Sequence, residues 1–404
     1  MANANFTVEL GDVACTAQLV DLGKKSNIAS GIPFLDHMID QLTSHAQLGV
    51  RIQVSLCGAD VAIERDYAQQ GRGDYAQKGR GDTASKRAKI GNADSDDRPH
   101  DAAIVHVCGE ALGGALAALF VKVHAASENQ QLSVCKGSRF VAPLDEAITE
   151  VELGPMHLAA PPRMETVGQL TYSQAPFGRF PPTGREWVGC LRLELLRDFW
   201  HAVQQQLGGS LRISKLRGDN AHHIVESAFK AFARAVRASL DTTVANGVSA
   251  LPPTLASEPL RSAQKSRATK ETRIEVSLAF DNRGTCQLAS GLRTLDKMLR
   301  VFSSASGLSV TAECHGDLFI DDHHSTEDVC IALGQCLHEA LGSKAGCNRM
   351  GCATAAEGSA RVQVVMDLSN RPYFEHNLGL NEEMVCSPDR NNCSNVCNCL
   401  RKDI

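Results

Sequence analysis

The chain has 404 residues, of which 43% are hydrophobic and 22% charged, with a formal net charge of −5. That is room for two or three domains of ordinary globular composition, and the charge gives no reason to expect nucleic acid or an anionic membrane as a partner. Aromatic residues, at 5%, are too sparse for a base-stacking surface, and no apolar run is expected to reach the roughly 18–20 residues of a membrane span.

The start, MANANFTVELGDVAC, has neither the basic-then-apolar order of a secretion signal nor the Arg-rich face of a transit peptide, so the expected location is the cytoplasm. Residues 29–63 run from an amphipathic helix, with Phe34, Met38 and Leu42 at helical spacing, into an alternating strand through Val50, Ile52 and Val54. Residues 65–95 open on the tandem DYAQQGRGDYAQKGRGD and read as a flexible inserted loop. A helix follows over 102–120, where Ile104, Val107, Cys108, Ala111, Leu112 and Ala115 share a face. Another covers 224–236, with Ile224, Ala228, Phe232 and Ala235 on its apolar side.

Pro, Ser and Ala dominate 249–268, which reads as a linker between a first copy, 1–248, and a partial second copy, 269–380. The two sides repeat one another: ASGIPFLDHMIDQL at 29–42 returns as ASGLRTLDKMLRVF at 289–302. Helix 329–341 carries Val329, Leu333, Leu337 and Ala340 on one face, and ARVQVVMDL at 360–368 reads as a strand. From 381 to 404 periodicity is lost and a disordered tail is expected. Its CSNVCNC offers three thiols without a second pair to complete a zinc site. The fifteen cysteines are scattered and odd in number, which suits reduced thiols better than a disulfide framework. Strands mixed with helices, without a Rossmann glycine fingerprint, predict an α+β fold of duplicated units with helices packed on one face of a sheet.

Two short constellations carry chemistry. IDDHHSTED at 320–328 and NAHHIVESA at 220–228 place His-His-x-x-Glu at the mouth of a helix twice. On a helix, residues three and four apart share a face. His323, His324 and Glu327 therefore converge, as do His222, His223 and Glu226. Two imidazoles and a carboxylate suit Mn, Fe, Co or Zn. A single such motif is equally well read as a capped helix with exposed polar residues; its repetition at one spacing favours metal. Asp321, Asp322 and Ser325 are helix-start residues, and Asp322 is placed to orient a histidine.

These blocks resemble the imidazoleglycerol-phosphate dehydratase family. The resemblance rests on GIPFLDHMIDQLTSH (31–45), APLDEA (142–147), RISKLRGDNAHHIVESAFKAFARA (212–235), RATKET (267–272), IDDHHSTED and DLSNRPY (367–373). It implies duplicated helices-on-sheet units of the ribosomal protein S5 domain 2-like type. It also implies large homo-oligomers with sites between subunits, two Mn2+ per site, and a phosphorylated imidazole substrate that loses water in histidine biosynthesis. By the same resemblance the metal ligands are His37, the two His-His-x-x-Glu clusters and Asp198, which stands at a family histidine. Glu271 matches the proposed base, with Glu226 and Glu327 as further catalytic carboxylates. Arg349 and Arg371 match the phosphate-holding arginines, as guanidinium chemistry suits, and Gln41 and His45 match substrate contacts.

Each copy departs from the family in a different place. The first copy carries Arg98, Pro99 and Ala102 where its early histidines and glutamate are expected, and Asp198 for a histidine. The second carries Lys297 where the first has His37, and AAEGSA for APLDEA. The family's C-terminal Ser-Ser-Lys-Gly loop appears in neither. The union of the two ligand sets is nearly complete. That predicts a dehydratase whose di-metal site is shared between copies; the alternative is a non-catalytic subunit or scaffold of a dehydratase assembly.

Overall fold

The structure is a computed structural model. It describes residues 5–20, 26–56, 100–125, 134–157, 168–179, 184–245, 260–320, 322–345 and 347–378. The insertion expected at 65–95, the first part of the linker, Asp321, and the tail with its cysteines lie outside them. The chain divides into two compact units, Met1–Pro252 with Met350–Asp367, and Pro253–Arg349 with Leu368–Ile404.

The first unit begins with β1 (Asn5–Leu10), β2 (Val13–Val20), β3 (Asn27–Ala29), α1 (Pro33–Ala46), β4 (Gly49–Leu56) and α2 (Asp101–Ala125). The strands form one sheet in the order β1-β2-β4-β3. Neighbours are antiparallel except β3 and β4, which run parallel, as a connection through a helix permits. Val13, Cys15 and Ala17 alternate inward on β2. Helix α1 is entered through a lock: Asp36 accepts from Ser30 N at 2.8 Å and from Ser30 Oγ at 2.5 Å.

The same plan returns twice. After β5 (Val134–Cys135) come β6 (Ser138–Leu144), β7 (Ala147–Leu153), β8 (Met156–His157), β9 (Leu170–Ser173), β10 (Trp187–Val188), β11 (Leu191–Arg192), α3 (Leu195–Leu207), β12 (Leu211–Arg217) and α4 (Ala221–Ala245). Apart from the two-residue pairs β5–β8 and β10–β11, the order is β6-β7-β12-β9, with β9 and β12 parallel. In the second unit β13 (Ser262–Ala268), β14 (Thr272–Ala279), β15 (Cys286–Ala289), α5 (Arg293–Ser306), β16 (Ser309–Gly316) and α6 (His323–Leu341) give β13-β14-β16-β15, with β15 and β16 parallel. The described residues thus hold three β-β-β-α-β-α modules. We call them the first, middle and last. The entry lock recurs in the last, where Asp296 accepts from Ser290 Oγ at 2.6 Å.

A hairpin of β17 (Met350–Glu357) and β18 (Ala360–Asp367) turns at Gly358, whose φ of +58° favours glycine. It packs on β6.

Within the first unit the helices of two modules face each other. Helix α1 packs on α4, and α2 packs on α3. The second contact is close: a Cβ on Gly109 would come within 2.5 Å of Phe199 O, and one on Gly113 within 2.8 Å of Val203 O. Trp200 fills the centre, its ring 4.6 Å from Phe229 and 5.0 Å from Phe232. Helix α2 is long and apolar enough, by length and composition, to cross a membrane, against the expectation that no such run exists. It is apolar on most sides because it packs on β1 and β2 as well as on α3. In the second unit Ile274, Val276 and Leu278 of β14 pack with Leu295, Val329 and Cys336.

One reading needs correction. Ser262–Ala268, taken as linker, is strand β13, paired with β14 along its whole length. Its half-buried side chains are Ala263, Lys265 and Arg267. The two long cations carry their heads to Glu339 and Asp328, so the strand shows no apolar period.

Candidate metal centre

Helix α1 presents His37, Gln41 and His45 at successive four-residue steps, hence along one stripe. Gln41 and His45 are half-buried there. Helix α4, packed on α1, presents His222 and Glu226. His222 Nε2 lies 2.9 Å from Glu226 Oε2, and His37 Nε2 lies 3.7 Å from the same oxygen. The rings of His37 and His222 are 5.6 Å apart. Their donor atoms and the Glu226 carboxylate lie within 4.8 Å of one another, the one such group of three among the described residues. Ligands about 2.1 Å from one ion stand about 3 Å apart at right angles, so two imidazoles and one carboxylate fit a divalent cation here with small adjustments.

Glu226 is tied on both oxygens. Lys230 Nζ, on the next turn, is 2.6 Å from Oε1. Burial alone would raise the Glu226 pKa, but His222 and Lys230, bonded to its two oxygens, together with the nearby His37 outweigh it and hold the carboxyl well below its usual range. His223 faces elsewhere. Its Nδ1 is 2.7 Å from Glu146, and its Nε2 is 3.7 Å from Asp145. Glu146 also accepts from Asn220 N at 2.9 Å. Burial opposes its ionisation, yet the His223 and backbone bonds leave its pKa lowered. A carboxylate on one ring nitrogen fixes the imidazole's orientation and favours the other nitrogen as a ligand. Glu146 and Asp145 lie in the APLDEA block, where the sequence reading assigned no single residue a role.

The last module builds a related but looser cluster. His323 Nε2 is 3.8 Å from Glu327 Oε2, and His324 Nδ1 is 3.0 Å from Asp317 Oδ2. Asp322 stands at the N-cap of α6 without a side-chain capping bond, and it is Asp317, after β16, that holds His324. Asp328, next to Glu327, ties α6 to the turn carrying Glu271. It accepts from Arg267 Nε at 2.8 Å and from Thr272 Oγ1 at 2.5 Å. Glu271 itself is exposed, its N–H donating to Thr269 Oγ1 at 3.2 Å.

The remaining expected residues scatter. Asp198 is exposed in the first turn of α3 and stands outside the His37–His222–Glu226 group. Arg349 and Arg371 flank the β17–β18 hairpin, whose base is extended by Leu368 N donating to Arg349 O at 2.9 Å. Both arginines are exposed. Arg98 and Pro99 lie outside the described residues. Ala102 is exposed on the first turn of α2, where it offers no ligand.

Repeated β-β-β-α-β-α modules with an imidazole–carboxylate cluster between facing helices define a duplicated α+β protein with a candidate divalent-metal centre. Residues 93–236 and 290–403 match the family described as imidazoleglycerol-phosphate dehydratase, and the chain belongs to that family. The dehydratase of Prochlorococcus marinus (strain MIT 9211) is 41% identical over 127 residues, 31% of this chain and 61% of that protein. That of Geobacillus kaustophilus (strain HTA426) is 46% identical over 115 residues, 28% and 59%. The chain thus spans about three fifths of the length of these curated relatives. The crystal structure of the dehydratase from Staphylococcus aureus subsp. aureus N315 aligns over 58% of this chain and 96% of that one, with 19% identity and a TM-score of 0.36.

Proposed function

We propose that this chain is a lyase that dehydrates imidazoleglycerol phosphate to imidazoleacetol phosphate in histidine biosynthesis. The observation that carries the reading is the His37–His222–Glu226 cluster, two helices of different modules meeting on three metal-competent groups. Mn2+, two per site, is the proposed cofactor; bound there it supplies Lewis-acid stabilisation of charge on the substrate's imidazole as a proton departs. His37, His222, His223 and Glu226 hold it from the first copy, with Asp198 as a further carboxylate. His323, His324 and Glu327 complement them from the second copy, across the subunits of a large homo-oligomer. Glu271 takes the proton. Arg349 and Arg371 clamp the phosphate, and Gln41 and His45 orient the substrate along the α1 stripe.

Lys297 at the position of His37, and Ala102 at that of a glutamate, favour the second reading, a non-catalytic subunit or scaffold of a dehydratase assembly. Steady-state dehydration by the Mn-loaded protein separates the two. It is run beside a variant combining His222→Ala, His223→Ala, His323→Ala and His324→Ala, with Mn binding measured by equilibrium dialysis. Turnover and Mn binding in the parent, both lost in the variant, support shared sites. A folded parent that binds no Mn and does not turn over sinks the lyase reading and leaves the scaffold.

A further inference from the structure

The two helix contacts of the first unit are related in kind. The first helix of one module lies on the second helix of the other, α1 on α4 and α3 on α2. Such an arrangement is what a two-fold axis produces, and two identical modules satisfy both contacts with one self-complementary surface.

The last module carries both helix types, and on its α5 the side chains that this pairing would cover are solvent-exposed. Matched on the Ser30–Asp36 and Ser290–Asp296 locks, Met298 and Phe302 of α5 stand where Met38 and Leu42 stand on α1. Met38 and Leu42 are 0% exposed, whereas Met298 and Phe302 are each 45% exposed. Val301 beside them is 62% exposed. Leu295, one turn before Met298 on the neighbouring stripe, is buried in its own module as Leu35 is in the first. The apolar surface of α5 therefore extends beyond the stripe that its own module buries. On α6, the half-buried Ile331 takes the place that Lys230 holds on α4. Exposed apolar side chains grouped on one helix mark a contact surface.

We propose that the last module pairs with the last module of a second copy of this chain, α5 of each lying on α6 of the other, in the manner of the first and middle modules. The second-type helix of the middle module is not free to serve, because α1 already covers α4. Charge agrees. His37 faces Glu226 in the first unit, so the pairing sets Lys297, which replaces that histidine, opposite Glu327 of the partner subunit. In the metal-free protein this is a cation against a carboxylate, and the partner copy supplies half of the contact.

The inference goes beyond the dehydratase reading and is tested without turnover. A photo-cross-linking benzoylphenylalanine replaces Val301 in the full chain. Isotope-labelled and unlabelled protein are mixed, irradiated and digested for mass spectrometry. The expected products join α5 of one isotope to the His323–Leu341 helix of the other. Phe302→Glu, on the same exposed face, is expected to lower their yield about tenfold with helix content unchanged. Lys297→Glu lowers it likewise, since like charges now meet, and adding Glu327→Lys restores it. Cross-links confined to one isotope, cross-links to another segment, or none in a folded protein overturn the proposal. Loss of turnover with these cross-links intact bears only on the lyase reading.

Discussion

Lys230 Nζ lies 2.6 Å from Glu226 Oε1 inside α4, while His222 Nε2 lies 2.9 Å from the other oxygen of the same carboxylate. The lysine is 2% exposed. A buried ammonium one turn along the helix thus keeps Glu226 ionised and leaves its second oxygen turned toward the imidazoles. That is the state in which a carboxylate would serve the cation proposed here.

Replacing Lys230 with Met strips that compensation and leaves a nearly buried charge. Removing one partner of a buried pair costs about 3–5 kcal/mol. The metal-free Lys230→Met protein is therefore expected to lose that much unfolding free energy, and Mn2+ is expected to return more of it than it adds to the parent. Denaturant titrations with and without Mn2+ measure both quantities. A loss below about 1 kcal/mol, the scale of an exposed pair, would show that the pair is incidental.

Acid acts on the same group. The Glu226 pKa is lowered from its ordinary 4.5 in the folded chain, so the folded state binds fewer protons than the unfolded one near that pH. Its stabilisation is full above 4.5 and is lost as pH falls below it toward the depressed folded value. Glu226→Gln removes the titration. The stability gap between parent and variant should hold from neutral pH to about 4.5 and narrow below it, as followed down to about pH 3; a gap independent of pH would contradict the assignment.

Much of this site is legible in the letters, because helix geometry converts a three- and four-residue spacing directly into neighbours. His222 with Glu226, and His323 with Glu327, can be paired from sequence. The meeting of His222 and Glu226 with His37 is expected only through the family resemblance, because it depends on α1 crossing α4, which no local pattern encodes. The first and last modules are recognisable as copies, since both keep the Ser-to-Asp entry into their first helix. The middle module is harder to recognise: LLRDFWHAVQQQL of α3 shares little with PFLDHMIDQLTSHA of α1, and beyond the repeated His-His-x-x-Glu it is the strand order that reveals the kinship. Strand β13 escapes notice for the opposite reason, two of its three inward positions being filled by Lys265 and Arg267 and only one, Ala263, by an apolar residue. Glu146 is distant in sequence from His223, so nothing near that histidine announces it, and Asp317 lies before the start of α6, off the helical spacing that pairs His323 with Glu327.

Glu146 gives the next expectation. It anchors His223 by Nδ1 and takes the backbone N–H of Asn220 at the entrance to α4. Glu146→Gln keeps the shape and removes the charge. Loss of such an orienting carboxylate typically lowers metal affinity about 10- to 100-fold. Equilibrium dialysis with Mn2+ should show that loss while helix content stays constant. Unaltered affinity would remove His223 from the ligand set.

Asp328 makes the last case, because it links a cluster to a proposed base without touching a reacting atom. Its carboxylate receives Arg267 Nε and Thr272 Oγ1, and lies 3.4 Å from Thr269 Oγ1. Thr269 Oγ1 in turn accepts the amides of Glu271 and Thr272 at 3.2 and 3.0 Å. The turn that carries Glu271 is thereby fastened to the second turn of α6. Asp328→Asn keeps the side chain's shape but weakens its bond to Arg267, so the turn should open more often. Hydrogen exchange at the Glu271 and Thr272 amides is expected to quicken. Turnover is expected to fall about a hundredfold, the scale of a misplaced catalytic group, while Mn2+ affinity at the His37–His222–Glu226 cluster is unchanged. Glu271→Gln should abolish turnover without altering exchange at Thr272. If exchange at both amides in Asp328→Asn matches the parent, Asp328 does not position the turn, and any effect on turnover must act through His323, His324 and Glu327 instead.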